Sequence, residues 1–102
     1  MSLFRIDMEA RDPERNQARA YTIEAGYDLF GDFMVSTTFG RIGSKGQIRR
    51  MTFESPEDAI PTIRKILLQR LKTSPRRTVH YTILSIRDPN GMMESFNVER
   101  KG

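Results

Sequence analysis

The chain has no cysteine and no tryptophan among its 102 residues, and its one histidine is His80. Without cysteine it can form neither disulfide bonds nor thiolate metal sites, and a lone histidine in a predicted strand is a poor candidate for a catalytic group. The acids and the histidine have no metal-ligand spacing, so we expect no metal and no cofactor. The sequence therefore predicts a protein that is not an enzyme.

Long apolar segments are missing as well. The longest purely aliphatic run, Ile66-Leu67-Leu68, is far too short to span a bilayer. The first residues carry charges and lack the apolar stretch of a secretory signal. We therefore expect a protein that does not engage membranes and resides in the cytoplasm, with association with the nucleoid as a further option. The length predicts one domain.

Acidic residues are absent from two long stretches, residues 33–53 and 59–87. Residues 33–87 hold 11 basic and 3 acidic side chains, a net charge of +8, whereas residues 1–32 hold 4 basic and 7 acidic ones, a net charge of −3. This asymmetry indicates a polyanionic partner such as nucleic acid. A solvated basic face that keeps a protein soluble would give the same composition, so charge alone leaves both interpretations open.

Four strands are predicted in the first half of the chain. Alternating apolar residues, or β-branched and aromatic ones, favour strands at residues 4–8, 19–25, 33–39 and 47–53. A turn with Gly31 as its pivot separates the second strand from the third. Gly43-Ser44-Lys45-Gly46 has the length of a hairpin loop between the third and the fourth.

The apolar period then changes to that of a helix. Ser55 is a suitable N-cap, Pro56 stands at the first helical position, and two acids follow at the positive end of the helix dipole. Pro61 is expected to bend the first turn or to make it 3₁₀, and Arg70 to extend its stem along the apolar stripe. One helix face collects the apolar residues Ala59, Ile60, Ile63, Ile66, Leu67 and Leu71.

A final hairpin is predicted after the helix. Residues 78–86 alternate again, Asp88-Pro89-Asn90-Gly91 suits a turn, and residues 93–98 can return as a partner strand. The expected fold is α+β, a mostly antiparallel β-sheet with one main α-helix packed across it and a C-terminal β-hairpin. We expect a single domain over residues 1–102, with its core at about 3–75 and the hairpin at about 78–98.

The segment FGRIGSKGQIRR, Phe39 to Arg50, combines three glycines and five hydrogen-bond donors with no acid. A phosphate-binding loop of the nucleotide-binding type has to open a helix, but Gly46 leads into a predicted strand. The Gly-x-x-Gly clamp of single-stranded RNA binders also needs flanking helices. Both types of site are therefore disfavoured, and a hairpin surface remains.

Phe39 and Arg41 are two residues apart, so they are expected to share one face at the end of their strand. An aromatic ring beside guanidinium groups can stack on a base or a sugar while the arginines hold phosphates. A strand phenylalanine can equally belong to the core, with Arg41 as a solvated neighbour. The residues alone leave the two interpretations open.

The chain resembles the WGR domain, a module named for its Trp-Gly-Arg motif, and in particular its bacterial stand-alone type. The resemblance covers about residues 3–75 and rests on motifs in the family's order: Arg15-Asn16, Arg19, Tyr21, Asp28-Leu29-Phe30-Gly31, Phe39-Gly40-Arg41-Ile42-Gly43, Gly46-Gln47, and Ser55 with Ala59. Two features depart from the family pattern. Phenylalanine replaces the motif tryptophan, which keeps a π face but loses the indole N–H, and no Gly-Tyr follows the helix.

The resemblance implies a non-enzymatic module that binds nucleic acid. WGR domains of DNA-dependent poly(ADP-ribose) polymerases bind DNA ends, with the motif tryptophan stacked at the terminal nucleotide and the motif arginine supporting phosphate contact. By this resemblance Phe39 takes the stacking place and Arg41 the phosphate place, and Gly40 allows close approach.

We therefore expect nucleic acid, and DNA in particular, to bind to the hairpin and to the basic side of the helix. The predicted contact residues are Phe39, Gly40, Arg41, Lys45, Gln47, Arg49, Arg50, Lys65, Lys72, Arg76 and Arg77. The alternative is a protein-interaction module, in which Phe39 anchors in a partner's pocket and the basic field attracts an acidic protein. A weaker alternative is self-association through the edge of the C-terminal hairpin. The oligomeric state stays open.

Overall fold

The computed structural model describes residues 2–72, 80–89, 91, 92 and 94. The main elements of these residues are five strands and the helix that follows the fourth of them. In chain order the elements are β1 (Ser2–Asp12), a 3₁₀ turn (Pro13–Arg15), β2 (Gln17–Tyr27), β3 (Phe33–Arg41), β4 (Gln47–Phe53), α1 (Pro56–Leu71) and β5 (Thr82–Arg87).

The strands form one antiparallel sheet in the order β4-β3-β2-β1-β5. The first four strands are neighbours in sequence and in space, as short connections favour. The fifth strand crosses to the far edge and pairs with β1, with Ile86 opposite Ile6. The predicted α+β class, an antiparallel sheet carrying one helix, is confirmed.

The core lies between α1 and one face of the sheet. Alternate residues of each central strand are buried there because successive side chains of a strand point to opposite faces. The buried cluster consists of Phe4, Ile6, Met8, Tyr21, Ile23, Ala25, Phe33, Val35, Ala59, Ile63 and Leu67. The predicted apolar helix face is confirmed, because its other members, Ile60, Ile66 and Leu71, pack against this cluster.

The helix begins as its sequence predicts. Ser55 is extended, and its Oγ accepts a hydrogen bond from the backbone N–H of Asp58 at 3.3 Å, while Pro56 occupies the first turn. Pro61 lies inside the helix, which remains α-helical from Pro56 to Leu71. The first turn is therefore not 3₁₀, since the lost N–H removes a single hydrogen bond while the buried face still anchors the helix.

The predicted C-terminal hairpin is supported in part. Its first strand is present as β5, which starts at Thr82, and Ile83 and Ile86 pack against the core. The predicted return strand at residues 93–98 falls largely outside the described residues. Within it Glu94 is described and is helical, as is the preceding Met92. The structure therefore assigns β5 to the main sheet and gives no support for the return strand.

The sheet face without the helix is tied together by Asp7. Its carboxylate accepts hydrogen bonds from Arg5 Nε and Nη2 at 3.0 and 3.1 Å, from Thr22 Oγ1 at 2.9 Å and from Ser85 Oγ at 3.0 Å. These donors come from three adjacent strands, β2, β1 and β5. The hydrogen bond from Arg5, followed by those from the two hydroxyls, holds the pKa of Asp7 below its ordinary value.

Candidate nucleic-acid interface

Aromatic rings line up on the helix-bearing face at the end of the sheet where β3 finishes. Phe39 lies directly opposite Tyr21 of β2, and their rings are stacked with centroids 5.8 Å apart and an interplanar angle of 19°. Tyr81, just before β5, meets Tyr21 edge-on at 6.0 Å. Tyr21 is 4% exposed, whereas Phe39 is half-buried and packs against the core. Phe39 is thus both a core contact and part of the surface.

Two arginines lie against these rings. The Arg70 guanidinium carbon is 4.4 Å from the Tyr21 ring centroid, and that of Arg49 is 5.7 Å from the Phe39 centroid. Both distances are within the range of a cation–π contact. The Nε of Arg70 is buried, and among the residues that the structure describes it has no hydrogen-bond acceptor. A buried donor without an acceptor is uncommon in folded proteins and lowers stability. Such a donor is therefore a candidate for a functional role.

Arg41 is held in place by the loop between β1 and β2. Its Nη1 donates to the Asn16 backbone carbonyl at 3.2 Å, and its Nη2 lies 3.4 Å from Asn16 Oδ1. Asn16 has a left-handed backbone with φ of 53°, a conformation that asparagine tolerates better than most residues. The exposed guanidinium is therefore oriented before any ligand arrives, which lowers the entropic cost of binding.

These side chains surround an open pocket of about 500 Å³ at the end of the sheet. Aromatic rings and the guanidinium groups of Arg19, Arg41 and Arg70 form its wall. The described residues that line it include no acid and are Gln17, Ala18, Arg19, Tyr21, Phe39, Gly40, Arg41, Arg70 and Tyr81. Such a wall suits an anion attached to a flat or apolar group, which is the chemistry of a nucleotide.

Two glycines close the hairpin that carries the motif. A Cβ on Gly40 would lie 2.8 Å from Gly46 Cα, and a Cβ on Gly46 would lie 2.6 Å from the Phe39 carbonyl oxygen. Gly46 also has a φ of +68°, which favours glycine. The space beside Gly40 is filled by the hairpin itself. Gly40 therefore permits the close approach of two backbone segments, and it also lines the pocket.

The structure brings several predicted contact residues together. Phe39, Gly40 and Arg41 line the pocket, and Arg49 lies over the Phe39 ring. Gln47 is the register partner of Phe39 on β4. Phe39 and Arg41 share a sheet face, as their spacing predicts.

Other predicted contact residues do not join this surface. Arg50 follows Arg49 on β4 and pairs with Ser36, so strand alternation directs it to the opposite face of the sheet. Lys45, Lys65 and Lys72 are exposed but do not line the pocket. The last two predicted residues, Arg76 and Arg77, lie outside the described residues.

Four charged or aromatic residues that line the pocket are absent from the predicted set: Arg19, Tyr21, Arg70 and Tyr81. A signal existed for the first two, because they belong to the motifs that carry the family resemblance. Arg70 carried a weaker signal, since its helical position next to the apolar stripe brings its stem toward the sheet. Tyr81 gives no comparable signal, because its place depends on the crossover that brings β5 beside β1.

The fold is that of a small α+β domain whose described residues form an open pocket at one end of the sheet. A model of the WGR domain matches residues 4–77, and the chain belongs to the WGR domain family, whose members are in general of the nucleic-acid-binding type. The uncharacterized protein y4dW of Sinorhizobium fredii (strain NBRC 101917 / NGR234) is 38% identical to the chain over 73 residues. The match covers 72% of this chain and 36% of that protein.

Among the helices of the described residues, none is long and apolar enough to cross a bilayer.

Proposed function

We propose that this WGR domain is a non-enzymatic DNA-binding module that takes one nucleotide of a DNA strand into the pocket beside Phe39. The observation that carries the proposal is the Arg70 guanidinium, which lies on Tyr21 with its buried Nε unpaired. A positive charge at a pocket wall that the described residues line without an acid is suited to an anionic ligand. A cytoplasmic location, with access to chromosomal DNA, is part of the proposal.

Phosphate and base contacts divide between two parts of the pocket. Arg41 and Arg19 are exposed and line the pocket. In this proposal they contact phosphates, which position a nucleic acid without reading its sequence. The aromatic residues form the inner wall and offer sequence-tolerant contact to a sugar or base. The combination favours recognition of the backbone and of a terminal nucleotide over sequence-specific readout.

The neighbours of Phe39 restrict how a nucleotide can reach it. Tyr21 is stacked against the ring from β2, and the Arg49 guanidinium lies over it from β4. A nucleotide therefore contacts the exposed edge of the ring, or stacks on it after Arg49 has moved to a phosphate. The second route exchanges one cation–π contact for a charge-assisted hydrogen bond.

An acidic protein partner is the alternative for the same cationic surface. Phe39 is a poor anchor for a partner's pocket, because the ring packs against Tyr21 and the core and cannot insert elsewhere without leaving them. This geometry favours a ligand that enters the pocket over one that receives the phenylalanine.

Fluorescence anisotropy with blunt, nicked, closed and single-stranded DNA tests the proposal at two or more salt concentrations. If roughly four to six phosphate contacts form, log K should fall with log salt with a slope of about −4 to −5. Preference for DNA with a free end over closed DNA is the result expected of a terminal-nucleotide pocket. Absence of DNA binding at low salt, or a DNA affinity that does not depend on salt concentration, would contradict the proposal and favour a protein partner.

A further inference from the structure

A second exposed feature lies at the other end of the sheet, in the turn between β2 and β3. We call residues 28–32 the Leu29–Phe30 tip. Leu29 is 100% exposed and Phe30 is 88% exposed, the two largest values among the large apolar side chains of the described residues. Tyr27, just before the tip, is 48% exposed. Adjacent apolar side chains presented together in this way mark an interaction site.

The tip has a fixed shape. Asp28 Oδ1 accepts hydrogen bonds from the backbone N–H groups of Phe30 at 2.8 Å and of Asp32 at 3.0 Å. The Asp28 N–H donates to the Asp32 carbonyl at 2.9 Å, and Gly31, with a φ of +85°, donates to the Asp28 carbonyl at 3.2 Å. These bonds present the two apolar side chains in a preorganised turn, which lowers the entropic cost of docking.

The surroundings of the tip are acidic. Residues 27–34 and 52–59 hold five acids and no lysine or arginine, a net charge of −5. The pairing of Phe33 with Phe53 brings the two segments to the same end of the sheet. At the other end of β3 and β4, residues 39–50 hold four basic residues and no acid. The same two strands therefore join an acidic apolar end to a cationic aromatic end.

We propose that the Leu29–Phe30 tip of one molecule docks into the pocket beside Phe39 of a second copy. The tip presents apolar side chains flanked by Asp28 and Asp32, and the pocket presents aromatic rings flanked by arginines. Both apolar contact and charge are then complementary across the interface. We assign a second copy as the occupant, because the chain itself carries the complementary surface.

The contact joins unlike surfaces, so each molecule retains one free tip and one free pocket. Such head-to-tail contacts extend into open chains unless the rotation closes a ring. Two apolar side chains and a few ion pairs make a small interface, so the association should be weak and concentration-dependent. The inference rests on the proposed function in one respect: nucleic acid and the tip would compete for the same pocket.

Sedimentation velocity without nucleic acid tests self-association from about 10 μM to about 1 mM, the range in which weak contacts become populated. The wild-type sedimentation coefficient should rise with concentration, and less so at high salt. A tip variant, Leu29→Ser with Phe30→Ser, and a pocket variant, Arg41→Glu, should each remain monomeric. Leu84→Ser on β5, where the side chain is 58% exposed, is the matched control and should behave as wild type.

Mixing the two variants gives the decisive measurement. The tip variant still has a pocket and the pocket variant still has a tip, so an equimolar mixture should form a heterodimer that does not grow further. Thermal melting of each variant checks that it is folded. A wild-type monomer at all concentrations, association unchanged in the tip variant, or no heterodimer in the mixture would overturn the inference.

Two further measurements separate self-association from DNA binding. DNA binding is measured on the tip variant at protein concentrations too low for self-association. DNA binding by a strictly monomeric wild-type chain would overturn the head-to-tail contact alone. Addition of duplex DNA to the associated wild-type protein should return it to single molecules bound to DNA, and chains that persist on saturated DNA would show that the tip uses another surface.

Discussion

The guanidinium carbon of Arg70 lies 4.4 Å from the ring centroid of Tyr21, so a cation–π contact joins the last turn of the helix to the sheet. Arg70 is in the last turn of α1 and Tyr21 is in the middle of β2. The contact explains how a charged residue can lie beside the apolar stripe of the helix. Within the described part of the chain the Arg70 Nε has no acceptor, so an apolar side chain at this position removes an unsatisfied donor.

Arg70→Met should separate binding from stability. The methionine keeps an unbranched apolar stem, and loss of a cation–π contact of about 0.5–2 kcal/mol is offset by removal of an unsatisfied buried N–H. The free energy of unfolding should therefore change by less than about 1 kcal/mol. DNA binding should weaken uniformly across sequences, and the salt slope should become shallower by about one unit.

Arg64→Met is the matched control for this prediction, because Arg64 is exposed on the same helix and does not line the pocket. Arg64→Met should leave the free energy of unfolding and the DNA affinity nearly unchanged. Equal loss of DNA affinity in the two variants would show that α1 contributes only general positive charge.

Phe39→Ala should lower both stability and binding, because the ring belongs to the core edge and to the pocket at once. Loss of its partial burial and of the stack on Tyr21 should cost about 1–3 kcal/mol of unfolding free energy. Binding should weaken by about 1–3 kcal/mol when measured well below the melting temperature. Chemical denaturation and anisotropy give the two values separately.

Phe39→Trp restores the residue that names the family and is the companion variant. It should bind DNA at least as tightly as the wild type, since a larger ring offers more stacking surface. A Phe39→Ala protein that is destabilised but binds with wild-type affinity once folded would remove Phe39 from the interface.

Local sequence signals predicted most of the fold. The observed bounds of β4 are those predicted from its alternation, and the Ser55 cap and Pro56 fix the helix start. The predicted β1, at residues 4–8, is shorter than the observed strand. Its extension includes Ala10, which is buried but gives a weak strand signal because alanine is small.

Only those parts of the candidate site that lie within one short segment of the sequence could be predicted. The neighbouring residues Phe39 and Arg41 were found because strand alternation places them together. The same rule excludes Arg50 from the face of Arg49, although both were predicted as contacts. The contact of Arg70 with Tyr21 depends on how the helix crosses the sheet, and the position of Tyr81 depends on strand order. Neither is encoded in a short segment.

Gly46→Ala should destabilise the hairpin that carries the motif. The added Cβ would lie 2.6 Å from the Phe39 carbonyl oxygen, and the backbone has a φ of +68°. Backbone strain of about 1–3 kcal/mol should add to the cost of moving the Phe39 carbonyl. Gly43→Ala is the control, because Gly43 has a φ of +90° but no atom within 4 Å of its Cβ position.

Thermal or chemical denaturation should therefore rank Gly46→Ala as clearly less stable than Gly43→Ala, with the wild type most stable. The folded Gly46→Ala protein should also bind DNA less tightly, because Phe39 shifts with its carbonyl. Equal stability of the two variants would show that the hairpin relieves the close contact at Gly46 without losing further free energy of unfolding.

Asp7 should make stability depend on pH in the acid range. Its hydrogen bonds, first of all from Arg5, hold the folded-state pKa below the ordinary value of 3.8. As the pH falls, the unfolded chain takes up a proton on this carboxylate before the folded chain does. The stabilisation is therefore complete above the ordinary pKa and is lost as the pH falls through the folded pKa. The pKa of Arg5 is raised by the same hydrogen bond, so Arg5 remains charged throughout this window.

Asp7→Asn tests this contribution. The side chain of Asp7 is 30% exposed and that of Arg5 is 45% exposed, so solvent screening limits the pair, and we expect a loss of about 1 kcal/mol at neutral pH. The difference from the wild type should shrink as the pH falls below about 4, the ordinary range of an aspartate. Glu9→Gln is the control, because Glu9 forms a surface ion pair with Arg11 at 3.0 Å and should cost less. Urea denaturation across this pH range gives the free energy of unfolding of all three proteins. A difference in this free energy between Asp7→Asn and the wild type that stays constant down to strongly acid pH would contradict the prediction.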